Sequence, residues 1–560
     1  MSRIGNLFFG ITLLLLSVQL LAQPFTHADT LRGFNGPDRA WWDVLHYNIT
    51  VQPNLASKTI SASTEIIFSS NCDGNKTMQI DLQKPLLIDS IIFENAKVAF
   101  KNNFNNSWSV FLKGIQSKQY MDKIDGGKGW IKKELCIKIY YQGKPKEAIN
   151  PPWNGGWIWK KDKNGNPLIT VACQSLGASV WYPCKDIQSD EPDNGAELNI
   201  IVPDSLIAIG NGRLKEKKQL ADGNTKYTWV VTSPINNYDI APYIGKYVHF
   251  GEIYNAEAGK LDLDYWVLDY NLNKATAQFK EVPKMMKAFE YWFGPYPFYK
   301  DGYKLIETSH LGMEHQSAIA YGNRFKNGYL GMDRSGTGWG LKWDYIIVHE
   351  SGHEWFGNNI TTKDIADMWV QEGFTTYSEV LFTEFYFGKA AADEYINRQR
   401  EDIKNDKPII GFYNVNNSGS LDMYVKSAAM IHNIRQVINN DSLFRKILRG
   451  LNADFYHQTV TSKQIENYIS SQSKIKFSKV FDQYLRTINI PVLEYKIIGN
   501  RLQYRYRNCV SGFNMPVKIN FDKQRWIKPT TKWQTLIVHS NQQIEFTVDP
   551  NFFINTKKLD

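Results

Sequence analysis

The clearest chemical signal in the chain is a pair of histidines, His349 and His353, with Glu350 next to the first. Four residues make slightly more than one helical turn, so in a helix both imidazoles project from the same face, where one divalent ion can reach both. Glu350 then lies beside the ion without binding it. The pattern H-E-x-x-H therefore supplies two neutral zinc ligands and a carboxylate positioned as a general base.

A third ligand is predicted at Glu372, which follows His353 after eighteen intervening residues. That length allows the first helix to end near residues 357–359 and a second helix to return Glu372 to the ion. Two imidazoles and one carboxylate leave a fourth position open for water, as one catalytic zinc ion requires. Glu379 stands two turns after Glu372 on the same face, where it either orients a zinc-bound imidazole or is simply solvated.

Four stretches of the sequence resemble one known family. HESGHEWFGN at 349–358 and MWVQEGFTTYSE at 368–379 are similar to the zinc metallopeptidases grouped with aminopeptidase N and leukotriene hydrolase, a branch of the gluzincins. Upstream, LGMEH at 311–315 falls where this family has G-x-M-E-N, and YVKSA at 424–428 falls where it has Y-x-K-G-A. Four blocks in one order are far more specific than H-E-x-x-H alone.

The resemblance implies roles for residues outside the zinc motif. Tyr424 is expected to stabilise the oxyanion that forms opposite the zinc. Glu314 is expected to pair with the free α-ammonium of a peptide, within a substrate-binding segment that includes Gly312 and Met313. Gln174 is expected to make a second contact with the amine.

The sequence also departs from the family pattern within these blocks. Leu311 replaces a glycine that lets the backbone approach the substrate closely, and His315 replaces the asparagine. Ser427 replaces the glycine of the downstream block. The first two changes leave the geometry of peptide binding open.

Composition is that of an ordinary globular protein of several domains: 560 residues, 14% aromatic and 22% charged, with a net charge of +9. The positive charge forms no Lys/Arg stripe with interleaved aromatics, so we expect no nucleic-acid partner. Five cysteines leave at least one unpaired. Cys173 and Cys184 are the nearest pair in sequence, and the choice between a bridge and two buried thiols stays open.

The first 22 residues read as a signal peptide. Arg3 supplies the positive start, residues 7–21 form an apolar run, and Ala22 precedes a plausible cleavage point. An uncleaved anchor is the alternative, although the run is short for a membrane span. We therefore expect an exported protein, periplasmic or secreted, with no stable membrane insertion after cleavage.

The next part of the chain has the period of β-strands. From about residue 45 to residue 253, apolar and polar residues alternate, and turn residues recur between the alternating stretches. In the first such stretch the apolar positions are Leu45, Tyr47, Ile49 and Val51. This pattern predicts a β-rich domain over 23–253.

The period then becomes helical. A helix is predicted over 273–292, interrupted near Pro283. A glycine-rich loop at 322–340 and the zinc helices follow, and the pattern is largely helical from Phe382 to about Arg486, which predicts a second domain over 254–487. Alternation returns from about residue 491 and predicts a small β-domain over 488–560.

The expected fold class is therefore multidomain α+β. The resemblance implies a saddle-like first domain and a thermolysin-like, mainly helical zinc catalytic domain. Longer family members continue into a large C-terminal helical domain, for which this sequence has no room, so we expect a more open site.

The function predicted from these residues is zinc-dependent aminopeptidase activity on peptides or proteins with free N-termini. An endopeptidase of the same clan is the first alternative, favoured by Leu311, His315 and the missing helical domain. A non-catalytic interaction scaffold of the same fold is the second alternative. No residue of this sequence specifically indicates epoxide hydrolysis, an activity known for one relative.

Overall fold

The computed structural model describes residues 25–103, 106–124, 127–521, 523–537 and 545–560. The predicted signal peptide, residues 1–22, lies outside the described residues. In the described part of the chain, no helix combines the length and apolar character needed to cross a membrane. All five cysteines are free thiols, and Cys173 and Cys184 are buried without a bridge.

Two short helices precede the first domain: α1 spans His27–Thr30 and α2 spans Pro37–Ala40. The domain itself is built of strands. Strands β1 to β17 span Trp42–Asn54, Thr59–Ser70, Gly74–Asp81, Leu87–Phe93, Ala96–Lys97, Phe100–Asn102, Ser107–Ile115, Lys118–Ile124, Gly127–Lys132, Glu134–Gly143, Gly156–Lys161, Pro167–Ala172, Ala196–Pro203, Ile207–Ile209, Arg213–Gln219, Asn224–Val231 and Tyr243–Gly245.

Within the described residues, eight of these strands form one sheet in the order β15-β16-β13-β1-β2-β10-β4-β5, and β11-β12-β17-β14 form a second sheet. The alternation predicted for β1 is confirmed at Tyr47, Ile49 and Val51, which are fully buried. The prediction was wrong at Leu45, because the pairing of β1 with β2 shifts by a bulge after Val44. The extra residue reverses the alternation, so Val44 is the buried side chain.

A five-stranded sheet begins the second domain in the described chain, in the order β18-β19-β20-β22-β21. Its strands β18 to β22 span Tyr247–Ala256, Gly259–Leu268, Tyr303–Glu307, Gly312–Met313 and Ile319–Tyr321. The boundary predicted after residue 253 falls inside β18, which pairs along its length with β19. Strand β21 lies at one edge of the sheet and pairs antiparallel with β22.

Helices make up the rest of the second domain. Helices α3 to α11 span Leu272–Gln278, Glu281–Phe293, Tyr345–Gly352, Trp369–Phe387, Lys389–Gln399, Val425–Ile438, Asp441–Asp454, Ser462–Ser473 and Ser478–Arg486. Strands β23 (Ile360–Thr362) and β24 (Gln458–Val460) pair in parallel between them. The break predicted near Pro283 falls at residues 279–280, and Pro283 lies in the first turn of α4, where its missing N–H costs no hydrogen bond.

The chain ends in a β-region whose strands β25 to β31 span Val492–Ile498, Arg501–Arg507, Val517–Asn520, Gln524–Ile527, Gln534–Ile537, Thr547–Val548 and Asn555–Lys558. Its buried residues Leu493 and Leu502 belong to the same hydrophobic cluster as Phe481 of α11. The terminal β-region is therefore packed directly on the helical domain. Together these elements confirm the predicted multidomain α+β fold.

Candidate metal centre and active site

The H-E-x-x-H residues lie on helix α5 and, for His353, at the C-cap that follows it. The start of this helix is fixed by Asp344. The Asp344 carboxylate caps the helix by accepting hydrogen bonds from the N–H groups of Ile346 and Ile347, at 3.1 and 3.3 Å. It also accepts from the Tyr321 hydroxyl at the end of β22, at 2.7 Å. These bonds tie the first turn of α5 to the sheet, which sets where the histidines lie.

Helix α5 ends at Gly352, and His353 keeps helical angles (φ −65°, ψ −22°). A π-helical turn over Glu354–Asn358 follows it and carries the helical segment to the predicted end near 357–359. Phe356 and Gly357 then leave the helical conformation, and Gly357 takes φ +139°, which favours glycine. This turn brings the Phe356 carbonyl back to accept a hydrogen bond from His353 Nδ1 at 3.1 Å. The kink at this end of the helical segment therefore orients the second histidine.

Glu372 reaches the histidines from the first turn of α6. Its Oε2 atom lies 3.4 Å from His353 Nε2 and 3.9 Å from His349 Nε2. The next residue, Gly373, allows close packing of α6 on α8, because a Cβ there would lie 2.5 Å from the Cβ of Ser427. The predicted return of Glu372 on a second helix is confirmed.

The hydrogen bonds of His349, His353 and Glu372 leave one atom of each side chain available to bind a zinc ion. His349 Nδ1 lies 2.8 Å from Glu379 Oε1 and His353 Nδ1 bonds the Phe356 carbonyl, so both Nε2 lone pairs are left to face Glu372. Glu372 Oε2 is buried with no hydrogen-bond partner, an arrangement that is costly unless a cation is bound. All three donor atoms lie within 4.8 Å of one another, which matches a His/His/Glu zinc site.

The sequence allowed two interpretations of Glu379, as a residue that orients a zinc-bound imidazole or as a solvated side chain. The side chain is fully buried, which excludes the second interpretation. Its second oxygen accepts a hydrogen bond from the Tyr395 hydroxyl at 2.7 Å. The Tyr424 hydroxyl donates to Glu372 Oε1 at 2.9 Å. Glu379 of helix α6 and Tyr424, which lies far along the chain, therefore each contact one of the predicted zinc ligands.

Glu350 lies between the histidines and strand β21. A Cβ on Gly312 would lie only 2.7 Å from Glu350 Oε1, so glycine is needed for this approach. Burial raises the pKa of Glu350 to about 7; the His349 imidazole opposes this rise and the Glu314 carboxylate adds to it. A carboxyl with this pKa can take up and release a proton near neutral pH.

Glu314 is held by residues from the first domain. Its Oε1 atom accepts hydrogen bonds from Gln174 Nε2 and from the Tyr238 hydroxyl, the latter at 3.1 Å. Donor atoms of Glu314, Glu350 and His353 lie within 4.8 Å of one another. The structure therefore brings the predicted amine-binding residues to the metal ligands.

Two contacts to Glu314 come from residues that were not predicted as part of the site. Tyr238 lies 76 residues upstream in another domain, and nothing in its own spacing indicates a site. Asn358, to which the motif assigned no role, donates to the Glu314 carbonyl at 2.9 Å. Its place in HESGHEWFGN was the available signal.

The remaining residues of the 311–315 segment do not contribute side chains to this site. The Met313 side chain is buried in the hydrophobic cluster of the first domain. Leu311 packs against the core of the second domain, and His315 Nδ1 is paired with the Tyr243 hydroxyl. In this chain Gly312 is the glycine of the segment, and it leaves room for the Glu350 carboxylate.

Comparison with known proteins gives matches to two domains of one peptidase family. A family model described as the peptidase M1 N-terminal domain matches residues 44–238, and the peptidase family M1 domain matches residues 277–484. Leukotriene A-4 hydrolase of Xenopus laevis is 22% identical over 465 residues, covering 79% of this chain and 70% of that protein. Aminopeptidase B of Mus musculus is 23% identical over 362 residues, covering 60% of this chain and 52% of that protein.

The chain thus spans about half the length of aminopeptidase B. Among solved structures, an M1 zinc metallopeptidase from Deinococcus radiodurans, bound to a Tyr-Ser-Ala substrate, has a similar fold, with a TM-score of 0.66 and 17% identity. The similarity covers 82% of this chain and 97% of that one. Because both M1 domains match in succession and the second contains the assembled His/His/Glu set, we conclude that the chain belongs to peptidase family M1, the zinc metallopeptidases.

Proposed function

We propose that this chain is an aminopeptidase that uses one zinc ion to remove N-terminal residues from peptides. The observation that carries the proposal is the position of Glu314, whose carboxylate lies within 4.8 Å of donor atoms of both Glu350 and His353. A peptide's terminal amine nitrogen is about 2.5 Å from its own carbonyl carbon. A carboxylate that binds the amine must therefore lie this close to the base for the first peptide bond to be cleaved.

Each group of residues has a separate role in binding or catalysis. Glu314, held by Gln174 and Tyr238, pairs with the substrate ammonium and sets the register of the peptide. His349, His353 and Glu372 would hold the zinc ion, which when bound would supply a Lewis acid and lower the pKa of water to about 7. Glu350 accepts the proton of the attacking water at a carboxylate oxygen and donates it to the departing amine.

Two further side chains complete this mechanism. The Tyr424 hydroxyl, 2.9 Å from a zinc-ligand carboxylate, is close enough to donate to the oxyanion of the tetrahedral species. Glu379 holds His349 in the tautomer whose Nε2 is free. The proposal includes export of the protein, on the pattern of residues 1–22, and peptide substrates with free N-termini.

The test compares one peptide with a free and with an acetylated N-terminus. We expect cleavage of the free peptide and a loss of more than about 10²-fold on acetylation, because the acetylated amine has no charge for Glu314. Glu314→Gln should lower kcat/KM for the free peptide, and Tyr238→Phe should do so more weakly. Equal hydrolysis of the two peptides would instead support the endopeptidase alternative, and zinc binding without any turnover would support the scaffold.

A further inference from the structure

Arg32 is a buried cation in the short segment that joins helices α1 and α2. Its side chain is 5% exposed, and its Nε atom lies 3.8 Å from an oxygen of Asp186, which is 2% exposed. Its guanidinium carbon lies 5.5 Å from the centre of the Tyr238 ring. Arginine is almost never fully buried unless it is paired. The segment upstream of the first domain therefore places a paired charge beside a tyrosine that contacts Glu314.

The Asp186 carboxylate is a rigid partner for this arginine. It accepts hydrogen bonds from the N–H groups of Ala178 and Ser179, both at 3.2 Å, and from the Ser179 hydroxyl at 2.6 Å. Burial raises the pKa of Asp186, and the charge of Arg32 opposes this rise. Because three hydrogen bonds fix the carboxylate, its attraction for Arg32 restricts where the guanidinium can lie.

The backbone on either side of Arg32 is held by a loop of the second domain. The Asp29 carbonyl accepts a hydrogen bond from the N–H group of Asn416 in this loop. Gly33 packs so closely against the two preceding loop residues that a Cβ would have no room. The Asn416 side chain in turn donates to the Ser175 carbonyl of the first domain at 3.2 Å. Arg32 therefore lies in a segment that contacts both domains.

Tyr238 connects Arg32 to the carboxylate of Glu314. The cation lies against the tyrosine ring, and the hydroxyl at the tip of the ring donates to Glu314 Oε1 at 3.1 Å. Burial and the charge of Glu314 raise the pKa of this hydroxyl well above its ordinary value, and the charge of Arg32 opposes the rise. The hydroxyl is therefore protonated and acts as a donor. Because a cation is attracted to the face of an aromatic ring, Arg32 favours one orientation of the Tyr238 side chain.

We infer that Arg32 is a positioning residue for the amine-binding site: it holds the Tyr238 ring so that the hydroxyl fixes the Glu314 carboxylate for the substrate ammonium. The inference rests on the proposed aminopeptidase function. A carboxylate that is already held by donors loses less conformational freedom when it pairs with an ammonium group, so a free N-terminus binds more tightly. Because Arg32 acts through Tyr238, its effect on binding requires the Tyr238 hydroxyl.

The experiment measures binding of Leu-Gly-Gly and of N-acetyl-Leu-Gly-Gly by calorimetry in the Glu350→Gln background, and kcat/KM for Leu-Gly-Gly with Glu350 intact. Arg32→Gln should weaken binding of the free peptide by about threefold to tenfold, the range for losing a cation–π contact, and change binding of the acetylated peptide by less than about twofold. The value of kcat/KM should fall by a similar factor. Arg32→Lys keeps the charge without the planar guanidinium and should restore part of the loss.

A double substitution and a matched control separate positioning from a general loss of packing. In the Tyr238→Phe background, Arg32→Gln should change kcat/KM by less than about twofold, because no hydroxyl remains to be positioned. Arg39→Gln removes another buried arginine, which lies on α2 and is paired with Asp81, and should leave the preference for the free peptide unchanged. If Arg32→Gln does not fold, Arg32→Lys gives the same comparison in both backgrounds with the buried charge kept.

Three results would overturn the role of Arg32: equal weakening of the free and the acetylated peptide, a full effect of the substitution in the Tyr238→Phe background, or the same loss of preference in Arg39→Gln. An active wild type that prefers the free peptide, with Arg32 variants that retain this preference, would overturn the role of Arg32 alone. A wild type that cleaves peptides without preference for a free N-terminus would overturn the proposed function.

Discussion

Replacing Gly312 by alanine tests the packing that positions the proposed general base. The added Cβ would lie 2.7 Å from Glu350 Oε1 and 3.0 Å from Ile346 Cγ2. Ordinary contacts between heavy atoms are about 3.5 to 4.0 Å, so the carboxylate must move by about 1 Å. A misplacement of this size in a reacting group costs about 10²-fold in rate, or about 2.7 kcal/mol of activation free energy.

The assay is kcat for an aminoacyl chromogenic substrate, measured together with bound zinc. We expect Gly312→Ala to lower kcat by about 10²-fold with zinc retained, because the substitution touches no metal ligand. Gly251→Ala is the matched control: its Cβ would lie 2.7 Å from the Leu263 carbonyl, in the far edge strand of the same sheet, and kcat should not change. Turnover above a third of the wild-type value in fully loaded Gly312→Ala would refute the reasoning.

Three other substitutions follow from the same geometry. Glu350→Gln should keep zinc and lose nearly all turnover, because the amide cannot accept the proton; retained activity with bound metal excludes Glu350 as the base. Tyr424→Phe should lower kcat by about 10² to 10³-fold, the usual cost of losing one donor to an oxyanion, and a loss of only a few fold rules out that role. Glu379→Gln should weaken zinc binding by about 10-fold to 100-fold in a chelator competition, and an unchanged affinity removes the orienting function.

The zinc ligands were predictable because their geometry is largely local. The spacing of His349 and His353 fixes their common face in a helix, and Glu372 needed only a second helix nearby. The end of this helical segment near residues 357–359 was predicted, but the kink just before that end was not predictable from spacing. The kink lies at Phe356 and Gly357 and directs the Phe356 carbonyl towards His353 Nδ1.

The amine-binding region was less predictable because its contacts join two domains. Tyr238 and Gln174 meet Glu314 across 76 and 140 residues, and no local period in the sequence encodes such a distance. The family resemblance predicted the contact of Gln174 with the amine, and no feature of the sequence predicted a role for Tyr238. Met313 was expected to bind substrate, but its neighbours in the folded chain belong to the hydrophobic cluster of the first domain.

The most direct test of the central claim is the zinc content of the purified protein and of its Glu372→Ala variant, measured by elemental mass spectrometry after dialysis. We expect about one zinc ion per wild-type chain and a large loss in the variant, because removing the carboxylate takes away one of three protein ligands. A wild-type protein without zinc, or a variant that holds as much zinc as the wild type, would contradict the assignment of the metal centre.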